Sequence, residues 1–562
     1  MMPRDQACDM AHIFHLNGQP IALESDETLF AAAARAGISV PTSCRAQGKC
    51  RECLMEITAG ADLLTPRAPE ESHLSGDFRL SCCARLSAAA REGNACVHAH
   101  TLHRSAMQVE QAAIEQTAMN RLQEIDPAVI RDGDRILIDG REVARHAGPI
   151  HGLAMDLGTT TVVVRCVNLE TARIVATAAF ENPQRFGGSD VMSRIQYDSD
   201  HCGRLLQRTL LGYLGRAISA FPVSFDSIFE LVVAGNSTMR DLFFGLDVTS
   251  IGQKPYWSST EHDYRAGLRQ TTAIEAPARS LRLPLHPAAR VYGLPLVGGH
   301  VGADAAACLL ALTPHRSGEI VAIMDIGTNT ELFLGNRDKL LCASCPAGPA
   351  FEGRSIRHGM PGLDGAIAHV TLNDDGSVKS REVIGDVTPA GICGSGLIDL
   401  LAELLRTGRI NEFGRYTDGA EHFVVDDATG ISLHESDISE LSQAKAANVA
   451  GLSIVAKHYG IALGQLDRFQ LAGGFGRHLN RDAARRIGLI PDLPDDRIVI
   501  VGNAAIEGAT LALLSVSQRR ELEELVRGIG HVQLETDPDF FDHFVAGCQF
   551  APLTIHTREV SS

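Results

Sequence analysis

Cys44, Cys50 and Cys53 form a C-x5-C-x2-C pattern, and Arg79-Leu-Ser-Cys82 brings a further thiol after a gap of 28 residues, with Cys83 beside it. Four soft thiolates can complete the tetrahedra of two irons, so Cys44, Cys50, Cys53 and Cys82 are the predicted ligands of a [2Fe-2S] centre. Ser43, Ala46 and Gly48 keep the loop lean, so that its amides can approach cluster sulfides. Zinc is the competing chemistry. It usually takes two Cys-x2-Cys knuckles, and here one half is x5 while the last ligand has a partner only if Cys82-Cys83 supplies it. The other cysteines are scattered. Cys342 and Cys345 form a lone C-x2-C in an apolar stretch, and with Cys166, Cys308 and Cys393 they read as small buried residues.

A second chemistry is written twice. Ala154-Met-Asp-Leu-Gly-Thr-Thr-Thr161 and Ile323-Met-Asp-Ile-Gly-Thr-Asn-Thr330 are nearly the same octapeptide. A carboxylate ending an apolar strand, followed by glycine and hydroxyl residues, suits a Mg-nucleotide. Asp156 and Asp325 can hold magnesium, while Gly158, Thr159 and Thr160 face Gly327, Thr328, Asn329 and Thr330 across the phosphates of ATP. Two such hairpin turns gripping a triphosphate are the geometry of the actin, sugar kinase and Hsp70 group. Val301–Ala307 and Gly502–Gly508 then resemble the two helices that connect the halves of that fold. Leu471-Ala-Gly-Gly-Phe-Gly476 resembles its adenosine motif, with Gly473 and Gly474 against the nucleoside. Asp304 is assigned to the hydrolytic water, a carboxylate capping its helix being the alternative. Gly394 and Ser395, in a glycine-rich turn running into an apolar helix, are either an anion site or a packing joint. No G-x-x-x-x-G-K-[ST] sequence exists, which excludes a Walker loop.

The elements that must hold these groups divide the chain. Residues 11–102 read as an α+β β-grasp unit: strands His12–Leu16 and Ile21–Leu23 around Asn17-Gly18, a helix Glu27–Arg35 capped by Asp26, and strands Leu54–Ile57 and Val97–Leu102. Residues 103–151 are read as a linker and a reduced middle segment, helix-prone to about residue 125, with one hairpin at Ile136–Arg145. From residue 152 to 562, strands alternate with helical runs in the α/β pattern of a large ATPase with two related halves.

Composition bounds the partners. A net charge of −17 disfavours nucleic acid and anionic membranes. No stretch approaches ~20 uninterrupted apolar residues and the first thirty lack a signal-peptide layout, so a cytoplasmic protein with 14 reduced or ligating cysteines is expected.

The cysteine stretch resembles ferredoxins of the adrenodoxin-like spacing class, in which the cysteine after Arg-Leu-x is a ligand; this favours Cys82 over Cys83. Ferredoxin followed by actin-like (ASKHA, ribonuclease H-like) ATPase resembles the reductive activators of corrinoid proteins. The resemblance also rests on Asn182-Pro-Gln-Arg-Phe-Gly-Gly-Ser-Asp-Val-Met-Ser-Arg-Ile195, Ala234-Gly-Asn-Ser-Thr-Met239 and Ala347-Gly-Pro-Ala-Phe-Glu-Gly353. It implies an enzyme that uses ATP to return Co(II) of a corrinoid protein to Co(I), an upstream reductant whose identity the sequence does not specify, and leaves a homodimer open; the alternatives are an ATP-dependent electron donor to another low-potential metalloenzyme and a non-catalytic ATP-gated redox sensor. An uphill one-electron transfer of about 300 mV costs roughly 7 kcal/mol, which nucleotide binding or hydrolysis can offset through differential affinity for partner states. Members of that group place a middle domain between ferredoxin and ATPase, and with only residues 103–151 free, a full one is not expected here.

Overall fold

A computed structural model describes residues 12–24, 26–42, 44–92, 95–102, 125–353, 355–362, 364–473 and 479–553. Strands β1 (His12–Leu16), β2 (Gln19–Leu23), β3 (Leu54–Ala59), β4 (Phe78–Leu80) and β5 (Cys96–Thr101) form a sheet in the order β2-β1-β5-β3-β4. β1 and β5 run parallel and the other pairs antiparallel, the β-grasp arrangement. Asn17 and Gly18 both hold positive φ, which closes the first hairpin with the right twist. The helix spans Leu29–Arg35 and lays Leu29, Ala32 and Ala33 on the sheet. Its cap is Thr28, whose side chain accepts from the amide of Ala31, and not Asp26. Threonine wins because it directly precedes the first apolar residue of the helix.

Three strands follow, β6 (Val129–Asp132), β7 (Arg135–Ile138) and β8 (Arg141–Arg145), one more than the expected hairpin. β6 shows little periodicity, since Val129 alone of its four residues is buried. Val129, Ile136 and Ile138 share a core with residues of the next sheet, so this meander packs on the ATPase.

Six strands build the first half: β9 (His151–Leu157), β10 (Thr161–Asn168), β11 (Ile174–Glu181), β12 (Ile228–Gly235), β13 (Ile274–Pro277) and β14 (Arg290–Gly293). The second half begins with β15 (Val321–Ile326), β16 (Thr330–Gly335) and β17 (Leu340–Cys345). An inserted sheet of β18 (Ala366–Leu372), β19 (Val378–Val383) and β20 (Gly391–Ile392) and a hairpin of β21 (His422–Asp426) and β22 (Ile431–His434) come next. β23 (Arg468–Ala472), β24 (Ile498–Ile500) and β25 (Gly530–His531) complete it. The sheet orders are β11-β10-β9-β12-β14-β13 and β24-β23-β15-β16-β17-β25. Read from the outer hairpin strand, β11-β10-β9-β12-β14 matches β17-β16-β15-β23-β24. In each matched set of five, an antiparallel hairpin pair leads into two further parallel strands, and β13 adds an antiparallel edge to the first half, so the octapeptide echo reflects a duplicated topology.

Two apolar helices, Ala303–Leu312 and Ala504–Leu514, cross between the halves. A Cβ on Gly508 would overlap the carbonyl oxygen of Ala307, so the crossing brings backbone against backbone and only glycine fits. Arg165 of β10 donates to Glu507 (2.7 Å) and Thr510 (3.1 Å), fixing the second helix to the first sheet through a buried charge pair. Among the described residues, no helix is long and apolar enough to cross a membrane.

Candidate functional site

Between Cys44 and Cys53 the backbone turns through positive φ at Arg45, Ala46, Gly48 and Arg51. Non-glycine residues adopt that region at a cost, and runs of this kind turn amides toward a common centre. The amide of Cys50, its thiol, and the amides of Gln47 and Lys49 outweigh burial at Cys44 and draw its thiol down to about 7. Across the loop, the sulfurs of Cys53 and Cys82 lie 3.2 Å apart in the core. Their contact lowers Cys53 and raises Cys82, so one of the two is readily a thiolate. Cys82 is set by its strand: Glu71 receives both arms of Arg79 (2.8 and 3.0 Å) and the Leu80 amide (2.9 Å), while Ser81 donates to the carbonyl of Cys53 (2.9 Å). Cys83 reaches Cys82 at 3.8 Å and is less buried. The thiols therefore stand as two pairs, Cys44 with Cys50 and Cys53 with Cys82. No three of these sulfurs lie within 4.8 Å of one another among the described residues, which does not suit a single zinc ion and does suit a cluster with two ligands at each end.

The two octapeptide loops face each other. Thr160 and Thr328 stand 3.4 Å apart, and both donate to one carboxylate oxygen of Glu352, at 2.9 and 2.7 Å. Asn236 donates to the Thr159 hydroxyl (2.9 Å), Arg194 to the Thr159 carbonyl (2.7 Å), and Asn182 to the Gly158 carbonyl (2.8 Å). In the second loop the Gly327 amide donates to the Asn329 carbonyl (3.1 Å). The hairpins differ by one residue: Leu157 pairs with Val162, but Ile326 pairs with Thr330. Thr330 thus lies within β16 on the face shared with Ile326, while Asp325 pairs with Glu331 on the other face. This corrects the reading of Thr330 as a phosphate contact. Its hydroxyl is buried without a partner on the core side of the sheet.

Carboxylates crowd the cleft. Asp156 and Asp304 are pushed up to about 7, first by burial and then by neighbouring acids, against the pull of Asn503 on Asp156 (2.6 Å) and of the Ala305 amide on Asp304 (2.8 Å). Asp325 is raised by burial although the Cys308 thiol donates to it (2.9 Å), and burial with Asp304 and Asp325 drives Glu331 well above the ordinary range. Four acids converge where hydroxyls and amides also converge, a donor set that fits a Mg-nucleotide. Asp304 sits in the first turn of its helix among these acids, not as an exposed cap.

Gly473 holds φ +118° against the Ile326 carbonyl, where a Cβ would clash, and its amide points to the Gly502 carbonyl at 3.4 Å. Gly474 lies outside the described residues. Gly394 opens the helix Gly394–Arg406, and the buried Ser395 hydroxyl donates to the Ala368 carbonyl (2.9 Å), the contact of a packing joint. The sequence reading assigned no role to Glu352, Asn182, Arg194 and Asn236, although all lie in the blocks that carried the resemblance. It took Cys308 for packing alone.

Cluster loop and ATPase touch directly. Glu52, between Cys50 and Cys53, pairs with Arg216 (2.6 Å) and accepts the Tyr213 hydroxyl on its carbonyl (2.8 Å), both from the helix Leu205–Ser219. Arg185 binds Glu56 at 2.9 Å and the Tyr197 hydroxyl binds the His73 carbonyl at 2.7 Å. Arg185 stands three residues after Asn182, which holds the Gly158 turn of the first loop. One hydrophobic cluster runs continuously from the β-grasp sheet into the first half.

With this arrangement in view, relatives decide the family. The corrinoid activation enzyme RamQ of Eubacterium limosum is 31% identical over 452 residues, covering 75% of this chain and 74% of that protein. The chain belongs to the reductive activators of corrinoid proteins. A Methanosarcina barkeri [Co(II) methylated amine-specific corrinoid protein] reductase is 24% identical, covering 70% and 76%. The solved structure of a reductive activator for a corrinoid, iron-sulfur protein matches with a TM-score of 0.70 and 28% identity, over 96% of this chain and 98% of that one. Family models match as a 2Fe-2S iron-sulfur cluster binding domain (residues 14–87), the RACo middle region (151–317) and the C-terminal ASKHA domain of RACo (319–559). The middle region therefore falls on the first sheet and its helices. A full middle domain is thus present, against the expectation from residues 103–151; the octapeptide echo makes this region read as half of the ATPase. An iron-sulfur cluster domain and a nucleotide-binding ASKHA domain are thus joined in one activator.

Proposed function

We propose that this activator delivers one electron to Co(II) of a corrinoid protein, forming Co(I), and that Mg-ATP binding or hydrolysis supplies the free energy. The contact that carries the proposal is Glu52 with Arg216 and Tyr213, because it couples the loop between two cluster cysteines to the half that holds the first phosphate turn. When bound, a [2Fe-2S] cluster supplies a one-electron carrier and Mg-ATP a source of conformational work.

The residues take the following roles. Cys44, Cys50, Cys53 and Cys82 hold the cluster. Asp156 and Asp325 hold magnesium, Gly158, Thr159, Thr160, Gly327, Thr328 and Asn329 meet the phosphates, and Gly473 lies against the nucleoside. Asp304, its carboxyl near neutrality, is suited to orient water. Arg45 and Lys49 are exposed beside the half-buried Cys44 and Cys50, so a partner can approach the cluster from that side. The working division is a cluster unit at 11–102, a connecting segment at 103–151 and, over 152–562, two related halves that share the nucleotide, the first matching the middle region and the second the ASKHA domain.

Iron and sulfide analysis tests the cluster: two irons and two sulfides per chain support it, and four of each refute it. ATP hydrolysis measured with and without a Co(II) corrinoid protein tests the function. Stimulation matched by Co(I) formation supports the reading, and hydrolysis indifferent to the partner with no Co(I) overturns it.

A further inference from the structure

The solvent face of the β-grasp sheet carries a second group of metal-binding side chains. β1 and β5 run parallel with His15 opposite His98 and Ile13 opposite Cys96. Alternation along β5 sends Cys96 and His98 outward while Val97 and Ala99 enter the core. The His15 and His98 rings stack with centroids 4.4 Å apart and planes 4° from parallel, and the Cys96 sulfur lies 3.4 Å from Nε2 of His98. One ligand atom from each of the three residues lies within 4.8 Å of the others.

We infer that His15, Cys96 and His98 form a second metal site, selective for a borderline-soft divalent ion such as zinc, with its fourth position open to water. Two imidazoles and one thiolate are the donors such an ion prefers, and hard cations that require oxygen are disfavoured. Ligands about 2.0–2.3 Å from a tetrahedral ion stand roughly 3.3–3.8 Å from one another, so side-chain rotation of about 1 Å closes the set without moving either strand. None of the three residues is among the cysteines assigned to the iron-sulfur cluster.

The test uses the cluster-loaded full-length protein titrated with zinc chloride, read by calorimetry and by zinc X-ray absorption. One zinc per chain is expected, with one sulfur and two nitrogen neighbours. Cys96→Ser and His98→Ala should each weaken binding by more than the ~10–100-fold that loss of a mere supporting partner costs, while iron content and the visible cluster spectrum stay unchanged. His15→Gln, also on the solvent face, gives an independent check. Absence of zinc binding at micromolar concentration, or a Cys96→Ser variant with wild-type affinity, overturns the inference.

Discussion

Arg216 of the first ATPase half lies 2.6 Å from Glu52, the residue between Cys50 and Cys53. Electron carrier and nucleotide machine are therefore joined at the cluster loop itself. Removing both hydrogen bonds with Arg216→Ala and Tyr213→Phe should weaken this docking by about 2 kcal/mol, with the partly exposed charge pair contributing the smaller share. Hydrogen exchange along Leu205–Ser219 should rise while the cluster spectrum is retained. Unchanged exchange would show that the shared apolar core alone holds the two units together.

Glu352 places a negative charge between Thr160 and Thr328, where phosphate oxygens would take the same hydroxyls. If the two threonines meet the phosphates as proposed, ATP displaces it. Glu352→Gln should therefore raise ATP affinity about fivefold, equivalent to ~1 kcal/mol, in equilibrium binding. Weaker binding would mean that the carboxylate serves the metal instead.

Asp156 and Asp304 titrate at about 7 from an ordinary value of 3.8. Between those values the folded protein binds more protons than the unfolded chain, so stability without nucleotide falls as pH rises through that window. Mg-ATP needs the ionised forms, so its affinity should rise from about pH 6 to 8. The melting temperature without nucleotide should fall over that range, while that with saturating Mg-ATP should stay nearly level. Parallel curves would contradict the assignment of Asp156 to the cation and of Asp304 to the same site.

Gly508→Ala drives a methyl group into the Ala307 carbonyl and should cost about 3 kcal/mol, the upper end for overpacking, seen as a lowered denaturant midpoint. A wild-type midpoint would show that the connecting helices separate readily.

The sequence made legible whatever depends on local spacing. The cysteine pattern, the Asn17-Gly18 turn and the repeated strand-Asp-Gly-Thr unit each imply a geometry by themselves. Contacts between distant segments were hidden. Glu352 meets Thr160 across 192 positions, and Glu52 meets Arg216 across 164. Thr330 was misread because two nearly identical octapeptides close hairpins of different length, and a one-residue shift turns a strand side chain to the opposite face. Thr28 displaced Asp26 as a cap for a similarly small reason, a two-residue difference in where the helix starts.

On the proposed function, the nucleotide site governs electron delivery. Protein with its cluster reduced should be mixed anaerobically with a Co(II) corrinoid protein, with and without Mg-ATP, and Co(I) absorbance followed through one turnover for wild type and Asp325→Ala. The account predicts Co(I) only with Mg-ATP in the wild type, and its loss in Asp325→Ala with the cluster spectrum intact. Equal Co(I) without nucleotide, or full ATP-dependent activity in Asp325→Ala, would contradict it.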